Sequence, residues 1–329
     1  MKNEKVYLTI EEQIELLKNK GLQIKSEKLV RKYLSDIGYY KLINGYKFPF
    51  IILKKDDDGN IKHEFKSNTD IEDLYQLYKF DQDLKSLIQK NISHIEVKVK
   101  ARMSDFISQN FGIKEKEYLK PDHYKPDSNK SNGIKFIDLR NDILKSISSQ
   151  HNKHNSITWY ANNYGYYPFW VVSNILTLGT ISLLYSKMKQ PDQYTISKTF
   201  GVKSKLLENM LMLLLLFRNK CAHNEIAYCY KTKRSLNQND LKEIFTLYNI
   251  PIMSSTGRYK YGLNDVFGLI ICFKILLDKS QFSEFSAQFK SLLNNLKKRI
   301  NNDSYNSILD SMGIVGDIEI LKNYKFSNN

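Results

Sequence analysis

The chain has 329 residues, of which 42% are hydrophobic and 26% charged. That is long enough to bury a sizeable core and excludes a disordered protein, while six prolines and 14 glycines argue against collagen-like repeats, Pro/Gly linkers and turn-dense β-sandwiches. Fifty Lys and Arg stand against 35 Asp and Glu, a formal charge of +15, which favours a polyanionic partner because neutralising phosphates releases counterions.

The first nine residues lack the apolar run of a signal peptide, so a cytoplasmic protein is expected. Thr9-Ile10-Glu11-Glu12 is a capping box, and Ile10, Ile14 and Leu17 follow at helical spacing until Gly21 ends the element. A second helix is expected over residues 26–37, with Val30, Tyr33, Leu34 and Ile37 on one face. After an aromatic segment punctuated by Gly38 and Gly45, residues 48–53 and 61–65 flank Asp56-Asp57-Asp58-Gly59-Asn60. This reads as a β-hairpin and the only sheet of note.

A long helix is expected from the capping box Thr69-Asp70-Ile71-Glu72 to Gly112. Its apolar residues, from Ile71, Leu74 and Tyr78 to Val99, Met103 and Phe106, fall three or four apart with one gap near Asp81. Residues 113–133 read as a loop, residues 134–149 as a helix, and a polar stretch with His151 and His154 follows. Pro168 suits the first turn of a helix running through Trp170, Val171, Ile175, Leu178, Ile181 and Leu184. Another helix runs from Lys203 into the apolar residues 210–217, a run far too short to span a bilayer, so no membrane partner is expected. Further helices are expected near residues 240–248, 264–278, 282–300 and 305–312. The fold class is mainly α, with an N-terminal helical segment and small β-hairpin over residues 1–68 and a helical domain over residues 69–329 that the pattern also allows to be continuous with it.

The densest polar cluster is Phe217-Arg218-Asn219-Lys220-Cys221-Ala222-His223-Asn224-Glu225, at the end of the most apolar helix. Such groups are costly to bury unpaired, so they belong at a cleft or interface. A histidine can take the proton of an RNA 2′-hydroxyl near neutral pH. An arginine can hold the non-bridging phosphate oxygens as charge grows. No metal is needed for that route. Positions five apart on a straight helix diverge by about 140°, so Arg218 and His223 converge only if the helix breaks or a second chain supplies the opposing half. Asn219 and His223 share a face. The alternative is a capped helix end with a polar rim, since one Arg-x-x-x-x-His match is a weak signal by itself.

Cys221, Cys229 and Cys272 match no common zinc spacing, as in a reduced cytosolic chain. His151 and His154 lack a third ligand on their face, and His63 and His94 read as structural, so no metal is expected. Tyr228 and Tyr230, beside Lys231, Lys233 and Arg234, form a basic-aromatic patch just past the motif. It is a candidate guide for single-stranded RNA, or else an ordinary solvated loop. Tyr164, Tyr166 and Tyr167 are further candidate stacking rings.

Arg218-Asn219-Lys220-Cys221-Ala222-His223-Asn224 resembles the Arg-Asn-x-x-Ala-His-Asn signature of the AbiD/AbiF-like abortive-infection (Abi) family of the HEPN superfamily. Leu8-Thr9-Ile10-Glu11-Glu12-Gln13-Ile14, Ile37-Gly38-Tyr39-Tyr40-Lys41-Leu42, Tyr78-Lys79-Phe80-Asp81-Gln82-Asp83-Leu84, Ile95-Glu96-Val97 with Arg102, Pro168-Phe169-Trp170-Val171 and Met312-Gly313 resemble its other blocks in order. Lys98 departs from the arginine more usual in the second-helix block, which bears on a phosphate contact there.

The resemblance implies a HEPN-type helical bundle that forms a homodimer with two Arg-x-x-x-x-His motifs face to face. It implies a metal-independent endoribonuclease of phage defence (abortive infection or a toxin–antitoxin pair) that needs no cofactor and cuts single-stranded RNA. Some similar proteins are thought to be restrained by a cognate small-RNA antitoxin. Carried over, His223 is the general base or acid, Arg218 the phosphate clamp and Asn219 an orienting residue. Glu96, on the flank of the long helix's apolar stripe, either orients Arg218 or His223 or pairs with a helix-borne Lys or Arg. The competing reading is a non-catalytic RNA-binding or regulatory protein. A DNA-binding regulator is disfavoured, since residues 1–46 hold no concentrated Lys/Arg recognition helix.

Overall fold

Helix α1 (Ile10–Asn19) starts at the expected capping box: the Glu12 amide donates to Thr9 Oγ1 (3.3 Å) and the Thr9 amide to the Glu12 carboxylate (2.7 Å). The computed structural model describes residues 6–55, 61–127 and 134–324. Ser26 caps α2 (Glu27–Ile37), and a π-helical turn, Tyr40–Asn44, then buries Leu42 and Ile43. Strands β1 (Ile51–Lys55) and β2 (Ile61–Phe65) pair antiparallel with Ile51 opposite Phe65. The acidic turn between them lies outside the described residues. Residues Phe48–Phe50 form a 3-10 turn rather than the start of the strand, because Pro49 has no amide to give to a ladder.

Helix α3 (Ile71–Asn110) is the axis of the fold, 40 residues and so about 60 Å long. Its N-cap is Asp70, one residue later than expected. Asp70 accepts from the Glu72 amide at 2.9 Å, and the Asp73 carboxylate accepts from the Asp70 amide at 2.8 Å. Thr69 is held outside the helix by the Gln23 amide, which donates to its carbonyl at 2.8 Å. The helix continues unbroken through Asp81, burying Leu74, Leu77, Leu84, Ile88, Ile92, Ile95, Val99, Met103 and Ile107.

The expected loop at 113–133 holds α4 (Glu115–Tyr118) and a 3-10 turn, Pro121–His123, with Tyr118, Leu119 and Tyr124 buried; residues 128–133 lie outside the described set. Helices α5 (Phe136–Gln150) and α6 (Asn155–Tyr164) follow. Pro168 opens only one turn, α7 (Phe169–Val172). A 3-10 turn intervenes, and α8 (Leu178–Lys187) is a new helix because the Thr177 side chain accepts from the Thr180 amide and caps it.

Helix α9 (Gln190–Lys198) carries Pro191 in its first turn, and α10 (Ser204–Ala222) ends at the motif. The last third contains α11 (Lys242–Leu247), a second two-residue ladder of β3 (Ile252–Met253) and β4 (Arg258–Tyr259), then α12 (Val266–Leu276), α13 (Lys279–Lys297), α14 (Asn302–Met312) and α15 (Ile320–Asn323). Helix α12 is apolar except for Lys274 and is buried over all but Lys274 and Ile275, as so apolar a helix must be. Helix α10 packs on α3, α8, α9 and α12, and buried apolar side chains from Ile14 to Leu321 form one core. Among the described residues, no helix is long and apolar enough to cross a membrane.

Candidate functional site

Helix α10 turns Leu207, Met210, Leu211, Leu214, Phe217 and Cys221 inward, so Arg218 is exposed one position after a fully buried phenylalanine. The helix stops at Ala222 and His223 is its C-cap. The Asn224 amide donates to Cys221 O (3.1 Å) and the Glu225 amide to Lys220 O (3.0 Å), the paired bonds of a Schellman ending. Asn224 holds the left-handed backbone conformation this ending needs, with φ +51°. Glycine usually takes that place. Asparagine tolerates it, and here its side chain has a second task, accepting from Lys85 Nζ at 2.7 Å.

Lys85 belongs to a buried polar knot centred on Asp81, which is 0% exposed. Lys85 Nζ is 3.4 Å from the Asp81 carboxylate. Asp81 Oδ1 accepts from the amides of Ala227 (3.0 Å) and Tyr228 (2.8 Å), and Oδ2 accepts from the Tyr46 hydroxyl (2.9 Å). Burial pushes the Asp81 carboxyl up, and the Lys85 charge and the three donors oppose that shift. Burial also pushes the Tyr46 hydroxyl far up, keeping it a donor. Three distant segments thus meet behind the motif: the turn after α2, the first half of α3, and residues 224–228. The gap in the α3 stripe was the sequence's trace of this knot, together with a carboxylate and an ammonium four apart where apolar residues were due. Neither Asp81 nor Lys85 was singled out as functional from the sequence.

His223 is exposed, and its ring makes no hydrogen bond among the described residues. Arg218 Nη1 points to Asn219 Oδ1 at 3.5 Å, and Asn219 is half-buried. Lys220 pairs with Glu225, holding that carboxyl below its usual range, and stands 4.9 Å over the Tyr230 ring. Cys221 is no candidate nucleophile, since burial pushes its thiol up to about 12.

Glu96 pairs with Lys100 on the next turn at 2.8 Å, the salt-bridge alternative; neither Arg218 nor His223 is among its partners in the described residues. Lys98 pairs with Asp278 at 2.6 Å, and Arg102 donates to Thr199 Oγ1 at 2.8 Å while covering the Phe200 ring. Both therefore bind α3 to its neighbours. Tyr228, expected as an exposed stacking ring, is instead 1% exposed, because Asp81 draws its backbone inward and its ring lies against Tyr46. Tyr230 is half-buried against Phe217. Lys231, Lys233 and Arg234 are exposed. Buried Thr232 pins that segment, its amide donating to Asn264 O at 2.8 Å. His63 and His94 are exposed rather than built into the core. His151 Nδ1 lies 3.1 Å from the Tyr167 hydroxyl, and His154 is the N-cap of α6. Among the described residues, no three His, Cys, Asp or Glu side chains gather as metal ligands would.

A family model described as Abi-like protein matches residues 32–229, a span that takes in Tyr46, Asp81, Lys85 and the whole motif. No curated protein and no solved structure gives a match.

Proposed function

The chain belongs to the Abi-like protein family, a membership that points to abortive-infection defence, and on that premise we propose that it is a metal-independent HEPN endoribonuclease acting as a homodimer in the cytoplasm. Its substrate is single-stranded RNA. The His223 imidazole takes the 2′-hydroxyl proton, the freed oxygen attacks the adjacent phosphorus, and the bond to the 5′-oxygen breaks. That oxygen leaves with a proton from an imidazolium, giving a 2′,3′-cyclic phosphate and a 5′-hydroxyl. Arg218 holds the non-bridging oxygens through the transition state, and Asn219 orients the guanidinium.

The observation that carries this reading is the exposure of both Arg218 and His223 on the last turn of a helix whose other face is core and whose end is fixed by Asn224 and Asp81. The helix runs regularly to Ala222, where positions five apart diverge by about 140°, so a second copy is the natural source of the opposing half. Half-buried Met212, Leu215 and Leu216, one to two turns earlier on α10, offer an apolar strip on which it would seat. The exposed Lys231, Lys233 and Arg234 supply cations for the RNA, and would equally receive a cognate small-RNA antitoxin.

Mixing variants tests the shared site. Arg218→Ala and His223→Ala should each fail to cut a labelled single-stranded RNA. The mixture should recover part of the activity, because a mixed dimer joins an intact Arg218 from one copy to an intact His223 from the other. No recovery in a mixture that demonstrably exchanges subunits would rule out the shared site. Undiminished cutting by either single variant would rule out the assigned chemistry.

A further inference from the structure

A second surface carries rings of a different kind. Helix α6 ends in Trp159, Tyr160 and Tyr164; the chain turns at Gly165, and Tyr166 and Trp170 follow. Trp159 is 51% exposed, Tyr164 54% and Trp170 42%. The rings brace one another: Trp159 is 5.1 Å from Tyr160 and 5.5 Å from Tyr164, and Tyr164 is 5.9 Å from Tyr166. Trp170 Nε1 donates to the Tyr160 hydroxyl at 3.3 Å. Lys114 Nζ stands 5.4 Å over Tyr166. Ile157, which is 0% exposed, anchors α6 in the core, and half-buried Tyr160 packs against that core beside it. Fold stability gives no reason for Trp159, Tyr164 and Trp170 to be left in solvent beside one another.

One carboxylate borders the cluster, that of Glu115, and it is already engaged, accepting from the Tyr167 amide at 2.9 Å; along the chain the flanking charge is basic. No aspartate or glutamate occurs between Asp142 and Asp192, while Lys145, Lys153, Lys187 and Lys189 all fall in that interval. We propose that the cluster of Trp159, Tyr160, Tyr164, Tyr166 and Trp170 is a stacking platform for unpaired bases of single-stranded RNA, with Lys114 supplying a cation beside it. This deepens the reading of RNA as the substrate and rests on it. Any base has a face that such rings can stack on, whereas bases in a duplex are already stacked. A membrane surface fits less well, because a helix lying in a bilayer interface sets a broad apolar face against a strongly charged one, and α6 carries no charged residue. The outward side chains of α6 include Asn155, Asn162 and Asn163, and its one large aliphatic is buried.

The platform is separate from the motif. Ser173, three residues past Trp170, touches Ser104 of α3 at 3.3 Å, whereas the motif's end is held at Lys85. Those α3 positions lie about 30 Å apart along the helix.

The chain's two tryptophans are both in the cluster, so intrinsic fluorescence reads it directly. The probe is an oligouridine with 2′-O-methyl riboses, which lacks the nucleophile of the proposed reaction and so reports binding alone. Single strands should quench the wild type and a duplex of equal length should not. Trp159→Ala and Tyr164→Ala should each weaken binding by about tenfold or more, and Trp159→Phe and Tyr164→Phe should retain it, since the rings remain. Unquenched fluorescence, or affinity unchanged in folded alanine variants, would overturn the platform while leaving cleavage of ordinary RNA through His223 to stand or fall separately. A response to phosphatidylglycerol vesicles but not to the oligonucleotide would also overturn it, in favour of a membrane face.

Discussion

Lys85 Nζ lies 2.7 Å from Asn224 Oδ1, joining two residues 139 positions apart, one in the first half of the long axial helix and one directly after the motif histidine. With Asp81 holding the amides of Ala227 and Tyr228, this contact fixes where α10 stops and where the chain goes next. The exposed end of the motif is therefore positioned from beneath by two buried side chains, Lys85 and Asp81.

Losing the cation of that knot should be expensive. Lys85→Met leaves Asp81 buried without its partner, and breaking such a pair typically costs about 3–5 kcal/mol. The double variant with Asp81→Asn should be less unstable than the sum of the two single changes. Urea denaturation of all four proteins checks this, and a wild-type midpoint for Lys85→Met would contradict it.

Asn224 serves both its backbone and its side chain, and two substitutions separate the roles. Asn224→Gly keeps the left-handed conformation and loses the acceptor for Lys85; Asn224→Ala loses both. Alanine should cost about 1–2 kcal/mol more than glycine, the usual penalty for a Cβ in that conformation. Equal denaturation midpoints would mean the φ of +51° is not required.

What could be read in the sequence was local. The capping box of α1, the extent of α2 and the apolar spacing of α3 and α10 need only neighbouring residues, and all lie where expected. Arg218, Asn219 and His223 were visible for the same reason, as polar residues closing an apolar run. Asp81 was not, because its partners at Ala227 and Tyr228 are 146 and 147 positions away. The same distance misled the reading of Tyr228, whose basic neighbours suggest a solvated loop although its amide is tied to the core. Helices α6 and α9 escaped because one is rich in Asn and aromatics and the other is polar with Pro191 near its start. Neither shows the aliphatic period that marks a helix.

Gly313 gives physical content to the closing Met-Gly pair. It ends α14 at φ +77°, and a Cβ there would come within 2.5 Å of Asp265 Oδ2. Asp265 is fully buried and accepts from the amides of Gly262 and Gly268 at the start of α12. Gly313→Ala should cost at least about 1–2 kcal/mol from backbone strain alone. Thermal unfolding measures it, and an unchanged midpoint would contradict the strain expected of a Cβ at φ +77°.

Acid should loosen the C-terminal end through Glu319. Hydrogen bonds from Lys290 and Lys322, both 2.7 Å, hold its carboxyl at about 2 against an ordinary 4.5. A carboxyl depressed by folding stabilises the fold above its ordinary value, and the contribution fades as pH falls toward the folded one. The stability gap between wild type and Glu319→Gln should thus shrink as pH drops from 4.5 toward 2. High salt should shrink it too, because Glu319 and both lysines are partly exposed to solvent. A gap that widens in acid would contradict the assignment.

The central claim is that Arg218 and His223 cut RNA without a metal. Its most direct test is digestion of an end-labelled single-stranded RNA by purified wild type and His223→Ala in EDTA, followed by analysis of the product ends. The expected result is 2′,3′-cyclic phosphate and 5′-hydroxyl ends from the wild type and intact RNA from a folded His223→Ala. Products with 5′-phosphate ends, or equal cutting by both proteins, would contradict it.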